Sequence, residues 1–259
     1  YKLGNLKSKL KNKSLTIGSW LTIPSIEIVE VLSTADFEWL VIDLEHTSIT
    51  LSEAKNLINC IQANSMEAVV RVSSNNETEI KKVLDIGANG IIIPMIKTRE
   101  DIDLASDFIY YPPKGKRGVG LNRAHKYGVD FNKYKKYLDE TNVVLIAQIE
   151  HIDSVNNLDS ILQNKNLDGI LVGPYDLSAS MGYPGEYDRV DVKKVLNIIE
   201  KLTRKSSKSL GFHVIESDHK FVIDKIKSNY NLLAYSIDFL FLGDKVREQM
   251  KLLKKKLLK

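Results

Sequence analysis

The stretch WLVIDLEHTSITLSEAKNLINCIQANSMEAVVR, residues 39–71, decides the fold of this chain. It begins with an apolar run, Trp39–Asp43, and ends with another, Glu67–Arg71. Between them, Leu51–Ala63 repeats its apolar residues at the spacing of one helix face. The runs are too continuous in aliphatic residues for strands with one face in water, which is typical of parallel strands covered on both faces. The stretch therefore predicts a strand, a helix and a second strand parallel to the first.

The same alternation continues along the 259 residues of the chain. Eight strand–helix units predict an α/β fold, the (β/α)8 TIM barrel, and a barrel of this length is commonly one domain, here residues 1–259. An open doubly wound sheet is the alternative, but it needs a glycine-rich turn after its first strand, and LTIPS at 21–25 is no such turn. The predicted strands are Thr16–Leu21, Trp39–Asp43, Glu67–Arg71, Gly90–Pro94, Val143–Ile149, Gly169–Val172, Ser209–His213 and Leu232–Ile237. The predicted helices are Ser25–Leu32, Leu51–Ala63, Glu77–Ile86, Arg99–Phe108, Ile152–Leu162, Val192–Arg204, His219–Lys227 and Asp244–Leu258.

Both ends of the chain carry a further helical pattern. Leu3, Leu6 and Leu10 predict a short lead helix across the N-terminal end of the barrel, although Gly4 weakens the pattern. From Met250 to Lys259 lysines alternate with leucines, which predicts a last barrel helix with its leucines against protein. A helix lying on a membrane surface or on a partner is the alternative.

Composition narrows the class of protein. A hydrophobic fraction of 43% with 27% charged residues is typical of a globular chain. The 37 basic and 33 acidic residues interleave, which does not favour a nucleic-acid partner. Apolar stretches such as Gly90–Ile96 are far shorter than the roughly 20 residues that span a bilayer, so we expect no membrane partner. A single cysteine, Cys60, excludes an intramolecular disulfide framework, and with no signal-peptide pattern we expect a reducing, cytoplasmic setting.

Ionisable and polar side chains recur where the predicted strands end. In a barrel of this kind the active site is built at the C-terminal ends of the strands. The side chains at or just after those ends are Asp43, Glu45, His46, Arg71, Gln148, Glu150, Asp176, His213 and Asp238. Charges gathered at one end of a barrel are costly unless they are paired or ligated, so this grouping predicts a functional site.

Glu150 and Asp176 form the most informative pair. They follow adjacent predicted strands, so their carboxylates are expected side by side. Two such charges either raise one pKa or share a cation, and oxygen ligands suit Mg²⁺ or Mn²⁺. The alternative is that each caps the next helix, above all Asp176 before Leu177 and Ser178.

Arg71 and His46 are the candidate catalytic groups. A guanidinium at the end of a buried strand suits a carboxylate or a developing oxyanion, and the alternative is a structural ion pair with Glu45 or Asp43. His46 follows the strand that ends in Asp43, which predicts an Asp–His acid–base dyad. A surface loop histidine is the alternative for His46.

Several other chemistries lack their residues. Gly118-Val-Gly120 has neither the third glycine nor the preceding strand of a dinucleotide-binding turn. No predicted strand carries a lysine that could form a Schiff base, and no Gly-x-Ser-x-Gly nucleophile turn occurs.

Taken together, the motifs resemble the HpcH/HpaI aldolase family, metal-dependent class II pyruvate aldolases with a barrel of the phosphoenolpyruvate/pyruvate-domain type. The resemblance covers roughly residues 17–243. The motifs that carry it are WLVIDLEH at 39–46, VRV at 70–72, LDIGA at 84–88, YPPKGKRG at 111–118, QIE at 148–150 and GPYDLSA at 173–179 with Met181 and Gly182.

The resemblance implies a mechanism. Glu150 and Asp176 would bind the divalent metal (Mg²⁺ or Mn²⁺, with Co²⁺ or Zn²⁺ as further options), and pyruvate would chelate it. Arg71 would contact the keto oxygen, and His46, oriented by Asp43, would be the acid–base group. Asp85 would reach the site of a neighbouring subunit, which implies a homo-oligomer, either a hexamer or another trimer-based assembly. The remaining implied substrate contacts are Gln148, Gly173, Pro174, Ser178 and Ala179.

The resemblance therefore predicts reversible cleavage of a 4-hydroxy-2-oxo acid, which could be a sugar acid, to pyruvate and an aldehyde. The chain departs from the family pattern at Gly211–Glu216, where His213 stands, and at Asn122–Gly128. Both departures bear on the aldehyde, so we expect His213 to contact the substrate there. The alternatives are another enolate-forming lyase, such as a citrate or malyl-CoA lyase or a decarboxylase, and a barrel that binds without catalysing.

Overall fold

The computed structural model describes residues 5–140 and 142–257 of the chain. Eight parallel strands close into a barrel in which each strand pairs with its neighbours in sequence and β8 pairs with β1. The strands are β1 (Thr16–Leu21), β2 (Trp39–Asp43), β3 (Glu67–Arg71), β4 (Gly90–Ile93), β5 (Val144–Ile149), β6 (Gly169–Val172), β7 (Ser209–Val214) and β8 (Leu232–Ile237). This confirms the predicted (β/α)8 fold, and the observed strands agree with the predicted ones to within a residue at each end.

The helices of the described residues form the outer layer. They are α1 (Asn5–Lys11), α2 (Ile26–Ser33), α3 (Leu51–Ala63), α4 (Glu77–Asp85), α5 (Arg99–Ile109), α6 (Phe131–Asp139), α7 (Ile152–Asn156), α8 (Leu158–Leu162), α9 (Pro174–Ser180), α10 (Val190–Lys205), α11 (His219–Lys227) and α12 (Asp238–Leu257). A 3-10 turn, Arg123–Gly128, precedes α6 in the long α5–β5 connection. Among these residues no helix combines the length and apolar character needed to cross a membrane.

Alternate strand residues point into the barrel and form a separate core. Trp39, Val41, Val69 and Ile146 belong to this inner cluster, while the outward residues pack under the helices. Leu6 and Leu10 of α1 are buried in the same inner cluster, and Ser209 Oγ donates to the carbonyl of Leu10 at 2.9 Å. The lead helix therefore covers the end of the barrel where the strands begin, which we call the base; Leu3 and Gly4 lie outside the described residues. The opposite end, where the strands finish, we call the mouth.

Most predicted helices agree with the structure to within two residues at each end, and two depart further. The predicted helix Ile152–Leu162 is broken at Asn157, whose Nδ2 donates to the carbonyl of Lys97 at 3.0 Å. The last helix begins at Asp238, six residues earlier than predicted, because the Asp238 carboxylate accepts hydrogen bonds from the Phe239 backbone and from the backbone N–H groups of Thr22 and Ile23. Asp238 therefore joins β1 to α12, and its carboxylate is used within the fold.

Candidate active site at the barrel mouth

Arg71 and Asp43 form the centre of the mouth. β2 and β3 pair in a register that sets Asp43 beside Arg71. Arg71 Nε donates to Asp43 Oδ1 at 2.9 Å and Nη2 donates to Oδ2 at 2.8 Å, so the guanidinium is held by two parallel bonds. Burial alone would raise the pKa of Asp43, but the hydrogen bonds and charge of Arg71 outweigh it and hold that pKa below its usual range. The guanidinium also lies 4.3 Å from the ring centre of Trp20.

Glu45 takes the remaining nitrogen of Arg71. Its Oε2 lies 3.2 Å from Arg71 Nη1 and 3.7 Å from His46 Nε2, and within the described residues this buried oxygen accepts no well-aligned hydrogen bond. Burial raises the pKa of Glu45 to about 7; Arg71 and His46 oppose the shift, whereas Glu150 and Asp43 add to it. The structural ion pair that was the alternative role for Arg71 is therefore present, and Arg71 forms it with both Asp43 and Glu45.

The side chain of His46 is 65% exposed, and its ring faces Glu45 rather than Asp43. Asp43 meets His46 only through the backbone, where its Oδ1 lies 3.4 Å from the His46 N–H, because Arg71 occupies both of its oxygens. The carboxylate beside the ring in this structure therefore belongs to Glu45, and the Asp43–His46 dyad stays a prediction. Sequence reasoning gave Glu45 no catalytic role, although its place between Asp43 and His46 was a usable signal.

Glu150 is buried on the neighbouring side of the mouth. Its Oε1 accepts from the Met95 backbone N–H at 2.7 Å, and its Oε2 accepts from Gln148 Nε2 at 2.5 Å. Burial raises the pKa of Glu150, and the charge of Asp176 adds to the rise. The Oε1 atom of Gln148 is buried without a hydrogen-bond partner among the described residues. The structure therefore brings Glu150, Gln148 and Asp176 together as predicted neighbours.

The loop after β6 presents Asp176 from the first turn of α9. Pro174 opens this helix, where a missing N–H costs nothing, and Asp176 and Ala179 are exposed at the mouth. Ser178 is fully buried, its Oγ donating to the Tyr175 carbonyl at 2.7 Å and accepting from the Gly185 N–H at 3.1 Å. The Ser178 hydroxyl, implied as a substrate contact, is thus used in shaping the loop.

His213, near the end of β7, points into the barrel. Its ring centre lies 4.9 Å from that of Trp20, on which Arg71 also rests. Burial, followed by the repulsion of Arg71, lowers the pKa of His213 to about 3, so its ring is neutral at physiological pH. Its Nε2 is buried and has no hydrogen-bond partner within the described part of the chain. A neutral ring nitrogen without a partner has the chemistry to hydrogen-bond a hydroxyl group.

The donors present fit a hard divalent cation. Residues 5–140 and 142–257 contain no group of three or more His, Cys, Asp or Glu side chains arranged to hold a metal. Glu150 and Asp176 supply two carboxylates, and such a pair suits Mg²⁺ or Mn²⁺, which keep several sites for water and substrate. A Cβ at Gly173 would lie 3.0 Å from Glu150 Oε2, so the glycine keeps the space beside that oxygen open.

Asp85 lies at the base, away from the other predicted catalytic residues. It ends α4, which runs back from the mouth, so it cannot share a site with Arg71 of the same chain. Its Oδ1 accepts from Arg117 Nη2 at 2.5 Å, and Arg117 is fully buried near the rings of Tyr111 and Tyr134. The sequence did not predict this buried cluster at the base, although Tyr111 and Arg117 both lie in the YPPKGKRG motif.

A family model described as HpcH/HpaI aldolase/citrate lyase matches residues 16–231, most of the chain. The chain belongs to this family. The chain is similar to the 2-keto-3-deoxy-L-rhamnonate aldolase of Escherichia coli (strain K12), with 29% identity over 252 residues, 96% of this chain and 92% of that protein.

Two similar solved structures share the fold of this chain over nearly their whole length. A HpcH/HpaI aldolase/citrate lyase family protein from Burkholderia cenocepacia J2315 has a TM-score of 0.90 at 27% identity, covering 97% of this chain and 99% of that one. The citrate synthase SbnG has a TM-score of 0.85 at 26% identity, with 98% and 99% covered. As a member of the HpcH/HpaI family, this protein is a carbon–carbon lyase.

Proposed function

We propose that this lyase is a class II aldolase that reversibly cleaves a 4-hydroxy-2-oxo acid to pyruvate and an aldehyde, with a divalent cation held by Glu150 and Asp176. The observation that supports the proposal most directly is that this carboxylate pair and Arg71, which Asp43 holds by two hydrogen bonds, lie at the same end of the barrel. The relatives named as 2-keto-3-deoxy-L-rhamnonate aldolases support an oxo-acid substrate.

Cleavage of the carbon–carbon bond leaves a negative charge on the pyruvate enolate. A bound divalent cation supplies Lewis-acid stabilisation of that charge. Arg71 donates to the enolate oxygen, and because Asp43 and Glu45 fix its plane, little reorganisation is needed as the charge develops. Asp43 therefore acts by positioning Arg71.

His46 and Glu45 carry out the proton transfers. His46 accepts the proton of the C4 hydroxyl, the C3–C4 bond breaks, C4 becomes the aldehyde carbonyl, and the electron pair forms the enolate. Protonation of the enolate at C3 then gives the methyl group of pyruvate. Glu45, 3.7 Å from the His46 ring, carries a pKa raised by burial to about 7, which suits exchange of this proton with the ring.

The remaining mouth residues hold the two halves of the substrate. Gln148, backbone groups of Gly173 and Ala179, and the ring of Pro174 surround the pyruvate end beside Glu150. His213 offers its unpartnered Nε2 to the aldehyde end.

An assembly of several copies is part of the proposal. α12 packs on β8 and β1, and a stripe of exposed apolar residues runs along it. The stripe consists of Phe239, Leu242, Val246, Met250, Leu253 and Leu257. The repeat of three and four residues forms one helix face, which favours a second copy of the chain as its partner. A hexamer or another trimer-based assembly would let Asp85 approach a neighbour's mouth, and the single thiol fits a cytoplasmic location.

The test is condensation with added pyruvate. Protein stripped with EDTA and reloaded with Mg²⁺ or Mn²⁺ is incubated with pyruvate and a panel of aldehydes, and products are identified by mass spectrometry. We expect a metal-dependent 4-hydroxy-2-oxo acid, lost in Glu150→Gln, and no trapping of the protein by borohydride with pyruvate. Turnover that survives EDTA, or a borohydride adduct, would overturn the class II mechanism. If no condensation product forms and the metal-loaded protein instead cleaves citrate or decarboxylates oxaloacetate, the other enolate-forming lyases are favoured.

A further inference from the structure

A cavity of about 360 Å³ opens beside the mouth, between the loop after β6 and the start of α11. Pro174 and His213, both assigned to the site above, line it together with Phe212 and Phe221. Its volume lies in the range of small-molecule pockets, roughly 300 to 1,000 Å³. The cavity therefore borders the site, with which it shares Pro174 and His213.

A tyrosine–carboxylate pair forms the polar wall of the cavity. Tyr187 donates its hydroxyl to Glu216 Oε1 in a short hydrogen bond, and the ring centres of Tyr187 and Tyr175 are 5.6 Å apart. Tyr175 precedes Asp176, so the wall is attached to the helix that presents the proposed metal ligand. A hydroxyl acceptor and donor beside phenylalanine rings form a surface that fits a hydroxylated carbon chain.

The charges around the cavity disfavour one class of ligand. Asp188, Glu216 and Asp224 line it with one lysine, Lys225. Lys193 pairs with Asp188 at 2.9 Å and Lys227 lies 3.9 Å from Asp224, whereas Glu216 is bound by the Tyr187 hydroxyl. The Lys225 Nζ lies 3.5 Å from the ring centre of Phe212 and its pKa is lowered by burial, so it is not extended into open space. A carboxylate at the far end of an aldehyde would face these acids and lose its hydration.

We propose that this cavity binds the distal end of the aldehyde and selects a neutral, hydroxylated aldehyde over a carboxylated one, with Tyr187 and Glu216 as the specificity-determining pair. The inference rests on the proposed aldolase function and adds the substrate class. Glu216 accepts a hydrogen bond from a substrate hydroxyl, Tyr187 fixes the carboxylate, and the rings of Phe212 and Phe221 contact the carbon chain.

The experiment compares aldehydes within one protein. kcat/KM is measured for condensation of pyruvate with erythrose, butanal and succinic semialdehyde, which are of similar chain length but carry hydroxyls, no polar group and a carboxylate. We expect erythrose to be favoured by about tenfold or more over each of the others, since a site built for a hydroxyl discriminates against analogues lacking it. Tyr187→Phe and Glu216→Gln should lower the erythrose-to-butanal ratio by about tenfold. The ratio does not depend on the fraction of protein that is folded.

Glu186→Gln, an exposed acid of the same loop, is the matched control and should leave the ratio unchanged. Exchange of the pyruvate methyl protons in D₂O without aldehyde reports the enolate chemistry separately. Normal exchange with a preference for succinic semialdehyde, or with ratios that the two variants do not alter, would overturn the cavity assignment alone. Absent exchange in the metal-loaded wild type would overturn the aldolase function and this inference with it.

Discussion

Arg71 is bound by Asp43 at two nitrogens, Nε at 2.9 Å and Nη2 at 2.8 Å, and its third nitrogen lies 3.2 Å from Glu45. The two carboxylates leave the guanidinium a single orientation over Trp20. A charge fixed in this way, with little water around it, is suited to meeting an anion that forms during a reaction. The two acids at the C-terminal end of β2 therefore differ in their contacts: Asp43, the last residue of the strand, positions Arg71, and Glu45, two residues later, joins Arg71 to His46.

Asp43→Asn should lower both stability and activity. The buried guanidinium would lose its main counter-charge, and removal of one partner of such a pair typically costs about 3 kcal/mol. Urea unfolding at pH 7 should report this loss, and condensation activity should fall by at least ~100-fold because the orientation of Arg71 is relaxed. Asp159→Asn, at an exposed position on α8, is the control. Full activity in Asp43→Asn would show that Arg71 needs no fixed plane.

Glu45→Gln should change the pH dependence of stability. Burial raises the pKa of Glu45 to about 7, so the folded protein keeps a proton that the unfolded chain releases above about pH 4.5. The free energy of unfolding therefore falls as pH rises from about 4.5 to 7, and this contribution is complete only below that window. The variant should lose that slope in urea titrations of the metal-free protein at pH 5, 6, 7 and 8. Glu30→Gln, on the exposed face of α2, should keep it.

Gly173→Ala should weaken metal binding without unfolding the barrel. The added Cβ would lie 3.0 Å from Glu150 Oε2 and 3.2 Å from Glu150 Cβ, so the carboxylate must shift. Isothermal titration with Mn²⁺ should show an affinity reduced by about tenfold or more, in the range found when groups that orient metal ligands are changed. Gly118→Ala, where a Cβ meets nothing within 4 Å, is the matched control. Equal affinities in the two variants would argue against a cation at Glu150.

The sequence predicts the barrel well because both of its signals are local. Aliphatic runs such as Trp39–Asp43 and helical spacing such as Leu51–Ala63 survive in the structure with the same bounds. The helical segment 152–162 is broken at Asn157, whose side chain bonds the Lys97 carbonyl sixty residues away. A contact over that distance leaves no local pattern from which the break could be predicted. The sequence patterns also did not predict α6 (Phe131–Asp139) and α9 (Pro174–Ser180), which lie in the two irregular connections. Helix limits set by remote contacts and helices inside long connections are therefore the parts of the fold that sequence patterns miss.

Side-chain pairing in the site also depends on contacts between residues that are far apart in the sequence. The sequence places Asp43, His46, Arg71, Glu150 and Asp176 at strand ends, but partners are set by the register of β2 against β3. That register puts Asp43 opposite Arg71 and leaves Glu45 for His46. The pairing of Asp85 with Arg117 likewise depends on how the long α5–β5 connection folds against α4.

A charge on the α12 stripe should separate the copies of the proposed assembly. Val246 lies at the middle of the stripe and is 54% exposed, so Val246→Glu is tolerated by an isolated chain but leaves a carboxylate without water inside an interface. Light scattering after size-exclusion chromatography should show a mass near the 29.3 kDa of one chain for the variant and a multiple of it for the wild type. Lys255→Glu, about 200° around the helix from Leu253 and Leu257, introduces the same charge off the stripe and should keep the wild-type mass. If Val246→Glu keeps the mass of the wild type, or the wild type is itself a single chain, the stripe does not hold the assembly together.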